Sequence, residues 1–225
     1  MIQAGLHRAL VVSLCACGVA AAWHSAVGAE SLDERLFRQI NGRWQRPWLD
    51  RPMSALSAAG DAKIGIAVCA GVGLFGGQRG YRAAKLALAA DAGSALVTYG
   101  LKCAVNRARP DGIADRPNSS FPSGHATGAF ALAAVFGHEY PGLAIPCYTV
   151  AAGIALSRVY RGRHYPSDVL AGAAIGFGCA RLALHFRDRI LGFELPPRRA
   201  VPPRPASSAV GGVPGPAETP EPKEQ

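Results

Sequence analysis

S-R-V-Y-R-G-R-H-Y-P-S-D, from Ser157 to Asp168, gathers Arg158, Arg161, Arg163, His164 and Asp168 into one short turn between two apolar segments. Guanidinium groups bind phosphate-type oxygens bidentately and stay charged at any working pH, so a multiply charged anion is the ligand this turn suits. Pro166 is tolerated in a helix only in its first turn, and the run from Val169 onward is apolar, so a helix is expected to start here. His164 then stands just before a helix N-terminus and Asp168 just inside it, close enough in sequence to orient the ring. An anion attacked there by an imidazole would feel the positive end of the helix dipole. A basic solvated loop with one capping Asp accounts for this stretch alone equally well.

Composition narrows the class. The chain has 225 residues, the size of one domain, of which 49% are hydrophobic and 17% charged, with 27 Gly. Abundant small residues fit helices that pack closely against one another. The net charge of +9 comes from 24 Lys and Arg against 15 Asp and Glu. These cations fall in loops beside apolar segments, without an aromatic-rich polar face or a nucleic-acid motif, so no nucleic-acid partner is expected. An anionic substrate or an anionic membrane suits them better. The six cysteines, Cys15, Cys17, Cys69, Cys103, Cys147 and Cys179, lie in or beside apolar runs and read as small buried hydrophobes, with no metal site and no disulfide framework.

Residues 1–29 read as a signal peptide or an N-terminal membrane anchor: His7 and Arg8 precede an apolar core, and Val27-Gly28-Ala29 offers a cleavage site. Leu32, Leu36, Phe37 and Ile40 then fall at helical spacing, predicting a short amphipathic helix at a membrane surface, with Trp44 and Trp48 at headgroup level. Further apolar runs cover Ile64 to Gly77, Leu86 to Leu101, Ala126 to Phe136, Leu143 to Leu156 and Val169 to Phe186. A basic turn is expected at Gln78 to Lys85. Residues 196–225 are rich in Pro and Gly and are expected to be a disordered tail, which leaves 30–195 as the helical domain.

The expected fold is therefore all-α, a bundle of about five to six helices. A membrane span needs roughly twenty apolar residues, and several runs are shorter, with Asp91 or Arg181 inside or near them. Against that, the basic turn at Gln78 to Lys85 and the basic end after Arg187 would both be cytoplasmic, as the positive-inside rule asks. The loops bearing His and Arg would share the outer face. A transmembrane bundle is the favoured reading, with Asp91 facing its interior and the active site on loops at the outer helix ends.

Three pieces carry a resemblance: K-C-A-V-N-R-A-R-P from Lys102 to Pro110, P-S-G-H from Pro122 to His125, and S-R-x5-H-x3-D from Ser157 to Asp168. In this order, each at the end of an apolar segment, they resemble the tripartite signature of the type 2 phosphatidic acid phosphatase superfamily, which includes bacterial acid phosphatases and vanadium haloperoxidases. The resemblance spans Lys102 to about Gly172. It implies that Lys102, Arg109 and Arg158 hold the phosphoryl oxygens, with Ser123 and the backbone N–H of Gly124 as further donors. His164 would be the nucleophile that forms a phosphohistidine, with Asp168 fixing its tautomer. His125 would protonate the leaving oxygen and later activate water. No cofactor and no metal are implied.

Arg107, Arg161 and Arg163 have no assigned role; they could grip a second phosphate or meet anionic headgroups. The function expected is hydrolysis of a lipid phosphate or diphosphate at the outer face of a bacterial cytoplasmic membrane. The competing readings are a soluble periplasmic acid phosphatase of broad range and a non-enzymatic membrane protein that keeps a phosphate pocket. Neither the particular substrate nor the oligomeric state is written in the sequence.

Overall fold

The computed structural model describes residues 31–112 and 115–192, so the N-terminal signal or anchor and the Pro-rich tail lie outside the described residues. All regular structure among them is helical. Helix α1, Leu32–Arg38, starts from a capping box: the Ser31 hydroxyl accepts from the Glu34 N–H at 3.2 Å and Glu34 accepts from the Ser31 N–H at 3.1 Å. A π-helical turn, Gln39–Arg43, continues it. Helix α2 is Pro47–Ala59 and α3 is Ala62–Phe75, joined at Gly60 and Asp61 with a bend of 65°.

Helix α4, Gly77–Val105, is the longest, and Asn106 ends it in the left-handed conformation that Asn tolerates. The expected basic turn at Gln78 to Lys85 is helical: the chain reverses at Gly76 and Gly77, and Arg79, Arg82 and Lys85 occupy the first turns of α4. They help close that end of the bundle. Arg79 donates to the carbonyl of Glu139, and Lys85 donates to that of Leu191 at 3.1 Å.

Helices α5, Gly124–Glu139, α6, Ala144–Tyr160, and α7, Pro166–His185, complete the core, followed by the short α8, Arg187–Gly192. Six helices of 13 residues or more, α2 to α7, thus match the expected size of the bundle. Helix α5 is central and packs against α4, α6 and α7. The buried contacts are dominated by Ala, including Ala83, Ala87, Ala131 and Ala180, with Leu86 and Val135 among the largest fully buried side chains. Phe37 and Ile40 pack against Val159 and Val169, so the expected amphipathic segment does turn one face inward. Leu32, at 71% exposure, and Trp48, also at 71%, face out.

Small residues let α5 and α7 touch backbone to backbone. A Cβ on Gly172 would lie 2.6 Å from the Ser123 carbonyl oxygen, and one on Gly176 would lie 2.1 Å from that of Thr127. The outward faces are apolar: Leu96, Ile145, Leu170 and Leu182 are all exposed. The segment Pro141–Tyr160 and helix α7 are each long and apolar enough to cross a membrane, and the bent pair α2–α3 would make a third span.

The close approach gives a direct check. Gly176→Ala should lower the unfolding temperature in detergent, by a cost of about 1–3 kcal/mol typical of overpacking. Gly178→Ala, where an added methyl meets nothing within 4 Å, should leave it unchanged. Equal melting of the two variants would remove the α5–α7 contact from its place in the fold.

Candidate active site

One end of the bundle collects the C-terminus of α4, the N-termini of α5 and α7, the C-terminus of α6 and the α2–α3 bend. Pinning comes from the backbone, where the Ser123 N–H donates to the Asp168 carbonyl at 3.0 Å. The start of P-S-G-H is thereby held against the end of H-x3-D, although the two are far apart in sequence. Ser123 caps α5, so Gly124 is its first residue and offers a free helix N-terminus at the site.

His164 is buried, 2% exposed. Its Nδ1 lies 2.7 Å from the Ser120 carbonyl oxygen and 3.7 Å from Asp168 Oδ2. A carbonyl can only accept, so Nδ1 carries the proton and Nε2 keeps its lone pair. The Ser120 carbonyl is the nearer acceptor, and the Asp168 carboxylate, expected to fix this tautomer, faces the same nitrogen from farther off. Its Oδ2 accepts from the Ser120 hydroxyl at 2.5 Å and the Tyr165 N–H at 2.8 Å, and its Oδ1 accepts from Arg107 at 2.7 Å. Burial, opposed by Asp168, holds the His164 imidazole below its ordinary pKa and thus neutral.

The sequence-predicted cations reach the same end. Lys102 donates to the Ser119 carbonyl. Arg109 donates to the carbonyl of Asn118 at 2.7 Å and to its side-chain oxygen at 2.5 Å. Arg158 donates to the Ser57 hydroxyl. Two buried side-chain polar atoms among the described residues have no hydrogen-bond partner, Ser123 Oγ and Arg158 Nε. Orphaned buried polar atoms are rare in folded proteins because each forgoes its bonds to water.

His125, the second residue of α5, sits beside the α2–α3 bend, where a Cβ on Gly60 would lie 3.1 Å from its ring. Burial first, then the positive charges of Arg158, His164 when protonated, and Arg109, push its pKa from 6.5 down to about 4, with Asp61 opposing. The ordinary imidazole value therefore does not hold for His125 in these surroundings.

A cavity of about 340 Å³ lies against His125, Lys102 and Gly124, and an apolar one of about 400 Å³ shares Gly60, Asp61, Ala62, Asp91 and Gly128 with it. Asp91 faces this interior, as expected. Arg163 pairs with Asp111 at 3.2 Å and Arg161 donates to Ser54 at 3.0 Å, both at the surface. Ser120, Ser57, Asn118 and Asp33 join the site without having been foreseen, and Arg107, which the sequence left without a role, joins it on Asp168. Ser57 and Asp33 reach it across 101 and 134 residues, a separation at which no local pattern gives a signal.

The PAP2 superfamily model matches residues 83–191, the stretch that carries all three motifs. Over these residues the chain is a PAP2 superfamily member. The chain is similar to a lipid A 1-phosphatase of Porphyromonas gingivalis, 42% identical over 93 residues that cover 40% of this chain and 20% of that protein. The curated lipid A 1-phosphatases it matches are each covered over less than half of their length. Two solved structures agree in fold over nearly their full length. The crystal structure of Aquifex aeolicus LpxE has a TM-score of 0.62 at 27% identity, covering 71% of this chain and 99% of that one. That of the transmembrane PAP2 type phosphatidylglycerolphosphate phosphatase from Bacillus subtilis has a TM-score of 0.64 at 25% identity, covering 82% and 98%. With its apolar outward helix faces and helices long enough to span, the chain is a membrane protein.

The lowered His125 pKa yields a measurable consequence. A group at about 4 is neutral near neutral pH, so it can act as an acid only if a bound dianion restores its proton. Titration calorimetry with inorganic phosphate, in buffers of different ionisation heat, should show more proton uptake for the wild type than for His125→Gln. Identical uptake would remove His125 as the proton donor.

Proposed function

We propose that this protein is a phosphatase that hydrolyses a lipid phosphate monoester or diphosphate through a phosphohistidine on His164. The observation that carries the reading is the pair of buried, unpartnered donors, Ser123 Oγ and Arg158 Nε, on two different signature motifs beside a neutral, tautomer-fixed histidine. A phosphoryl group would satisfy both. Arg158, Arg109 and Lys102 would neutralise its oxygens, and the Gly124 N–H at the start of α5 would add a donor along the helix dipole.

The atoms balance in two displacements. His164 Nε2 bonds to phosphorus as the phosphorus–oxygen bond to the leaving group breaks, and His125 supplies the proton that oxygen needs. Water, deprotonated by the now neutral His125, then attacks phosphorus, and the nitrogen–phosphorus bond returns its electrons to His164. The Ser120 carbonyl and the Asp168 carboxylate stabilise the ring while it carries positive charge. No residue assigned here needs a metal ion for these steps.

A lipid substrate is supported by the apolar cavity that continues from the polar one beside His125 and by the exposed apolar helix faces, which a soluble phosphatase would not present. The names of the similar proteins point the same way. For the orientation, Arg79, Arg82 and Lys85 at the start of α4 and Arg187 and Arg189 of α8 lie at the bundle end remote from the site. Placing that end in the cytoplasm puts the site on the periplasmic face of the inner membrane.

Phosphate release from a panel of purified lipid phosphates, by detergent-solubilised protein in excess chelator, tests the reading. Release is expected to persist in chelator, to be inhibited by vanadate, and to vanish in His164→Ala. Turnover of soluble esters alone would support an acid phosphatase, and release in no case would support a binding protein.

A further inference from the structure

Arg107 and Asp33 connect the first described helix to the centre of the site. Arg107 lies in the loop after α4, largely buried at 13% side-chain exposure. One guanidinium nitrogen donates to Asp168 Oδ1 at 2.7 Å and to the Ser167 hydroxyl at 3.0 Å. The other donates to Asp33 Oδ2 at 2.7 Å. Its planar face lies 4.0 Å from the centre of the Tyr165 ring, a cation–π arrangement. The group is thus fixed in its plane and along both edges, which leaves it unsuited to grip a second phosphate or a headgroup.

Asp33, in the first turn of α1, does more than neutralise Arg107. Its Oδ1 accepts from the Ser167 N–H at 2.8 Å and its Oδ2 from the Ser167 hydroxyl at 2.7 Å. It therefore supplies, from 134 residues away, an acceptor for a free N–H in the first turn of α7. Asp168 is the next residue in that turn. Two carboxylates share one guanidinium, and one of them also holds the backbone on which the other stands.

We infer that Asp33 is a positioning residue of the phosphatase site, acting through Arg107 and Ser167 to fix the orientation of the Asp168 carboxylate beside His164. Helix α1 is then part of the active site although it lies outside the matched PAP2 stretch at 83–191. The inference rests on the phosphohistidine reading for its kinetic consequence, but the geometry it claims can be read without turnover. Asp33 touches neither the cations that hold the phosphoryl group nor Ser123, so its loss should act on rate rather than on substrate binding.

The test uses the full chain in detergent, with Asp33→Asn, Asp33→Glu, Arg107→Met and the double variant Asp33→Asn/Arg107→Met. Asp33→Asn keeps the shape and an acceptor for Ser167 while removing the charge that steadies Arg107. The outer partners that orient metal-bound histidines typically matter by about 10–100-fold, and Asp33 stands in the same relation to Asp168 and His164. A loss of that size in kcat is expected for Asp33→Asn and for Arg107→Met, with unchanged KM and vanadate inhibition. Asp33→Glu should recover part of it. The double variant should be no worse than the poorer single one, since both act through one path.

Nitrogen-15 histidine spectra supply the readout that needs no activity. The Nδ1–H resonance of His164, identified by its loss in His164→Ala, should move in Asp33→Asn while the other histidines stay in place. An unmoved resonance, additive losses in the double variant, or a raised KM with weaker vanadate inhibition in Arg107→Met would overturn the inference. If the wild type hydrolyses nothing, the function proposed above fails, and the shift of the His164 resonance still decides the role of Asp33.

Discussion

Helices α5 and α7 meet at the site with glycine on the α7 side of the contact, and the site depends on that contact. Gly172 and Gly176 let α7 approach the Ser123 and Thr127 carbonyls to distances that a methyl group would forbid. The Ser123 N–H then reaches the Asp168 carbonyl. One hydrogen bond between main chains thus sets the distance between the anion-binding start of α5 and the histidine before α7. Main-chain contacts of this kind are less compliant than side-chain ones, which suits a site whose chemistry depends on placing charge to within a fraction of an ångström.

Around that contact the site gathers like charges before any substrate arrives. Arg109, Arg158 and Lys102 converge with two histidines, and burial together with their mutual repulsion drives the imidazoles to the neutral form. Neutrality is what a nucleophilic His164 needs, and it is the wrong state for a His125 that must give up a proton. A dianionic phosphoryl group resolves the conflict by compensating the cations. On this account the substrate completes the electrostatics of its own site, and the unpartnered Arg158 Nε and Ser123 Oγ mark where it does so. The Arg107 guanidinium stands apart because two carboxylates, Asp33 and Asp168, already hold it.

Much of this was legible in the chain itself. Apolar runs of helical length gave the bundle, Pro166 gave the start of α7, and three short motifs gave the residues that the fold brings to one end. Some features were hidden for physical reasons. The basic stretch at Gln78 to Lys85 looks like a turn by charge, yet its residues favour helix and the reversal needs only Gly76 and Gly77. Which acceptor serves His164 depends on a backbone carbonyl, that of Ser120, and carbonyls leave no trace in a sequence. Asp33 and Ser57 enter from the N-terminal helices across long loops of chain, so only the tertiary packing of α1 and α2 could reveal them. The depressed state of His125 likewise follows from burial and from cations supplied by other helices.

Rapid-quench trapping with a radiolabelled lipid phosphate decides whether phosphate becomes covalently bound to His164. An acid-labile, base-stable label is expected that maps to the peptide containing His164, accumulates when His125 is replaced by Ala and a good leaving group is used, and is absent from His164→Ala. Label that survives in His164→Ala, or turnover without label in any variant, would contradict a phosphohistidine at His164 and point to another nucleophile or to direct attack by water.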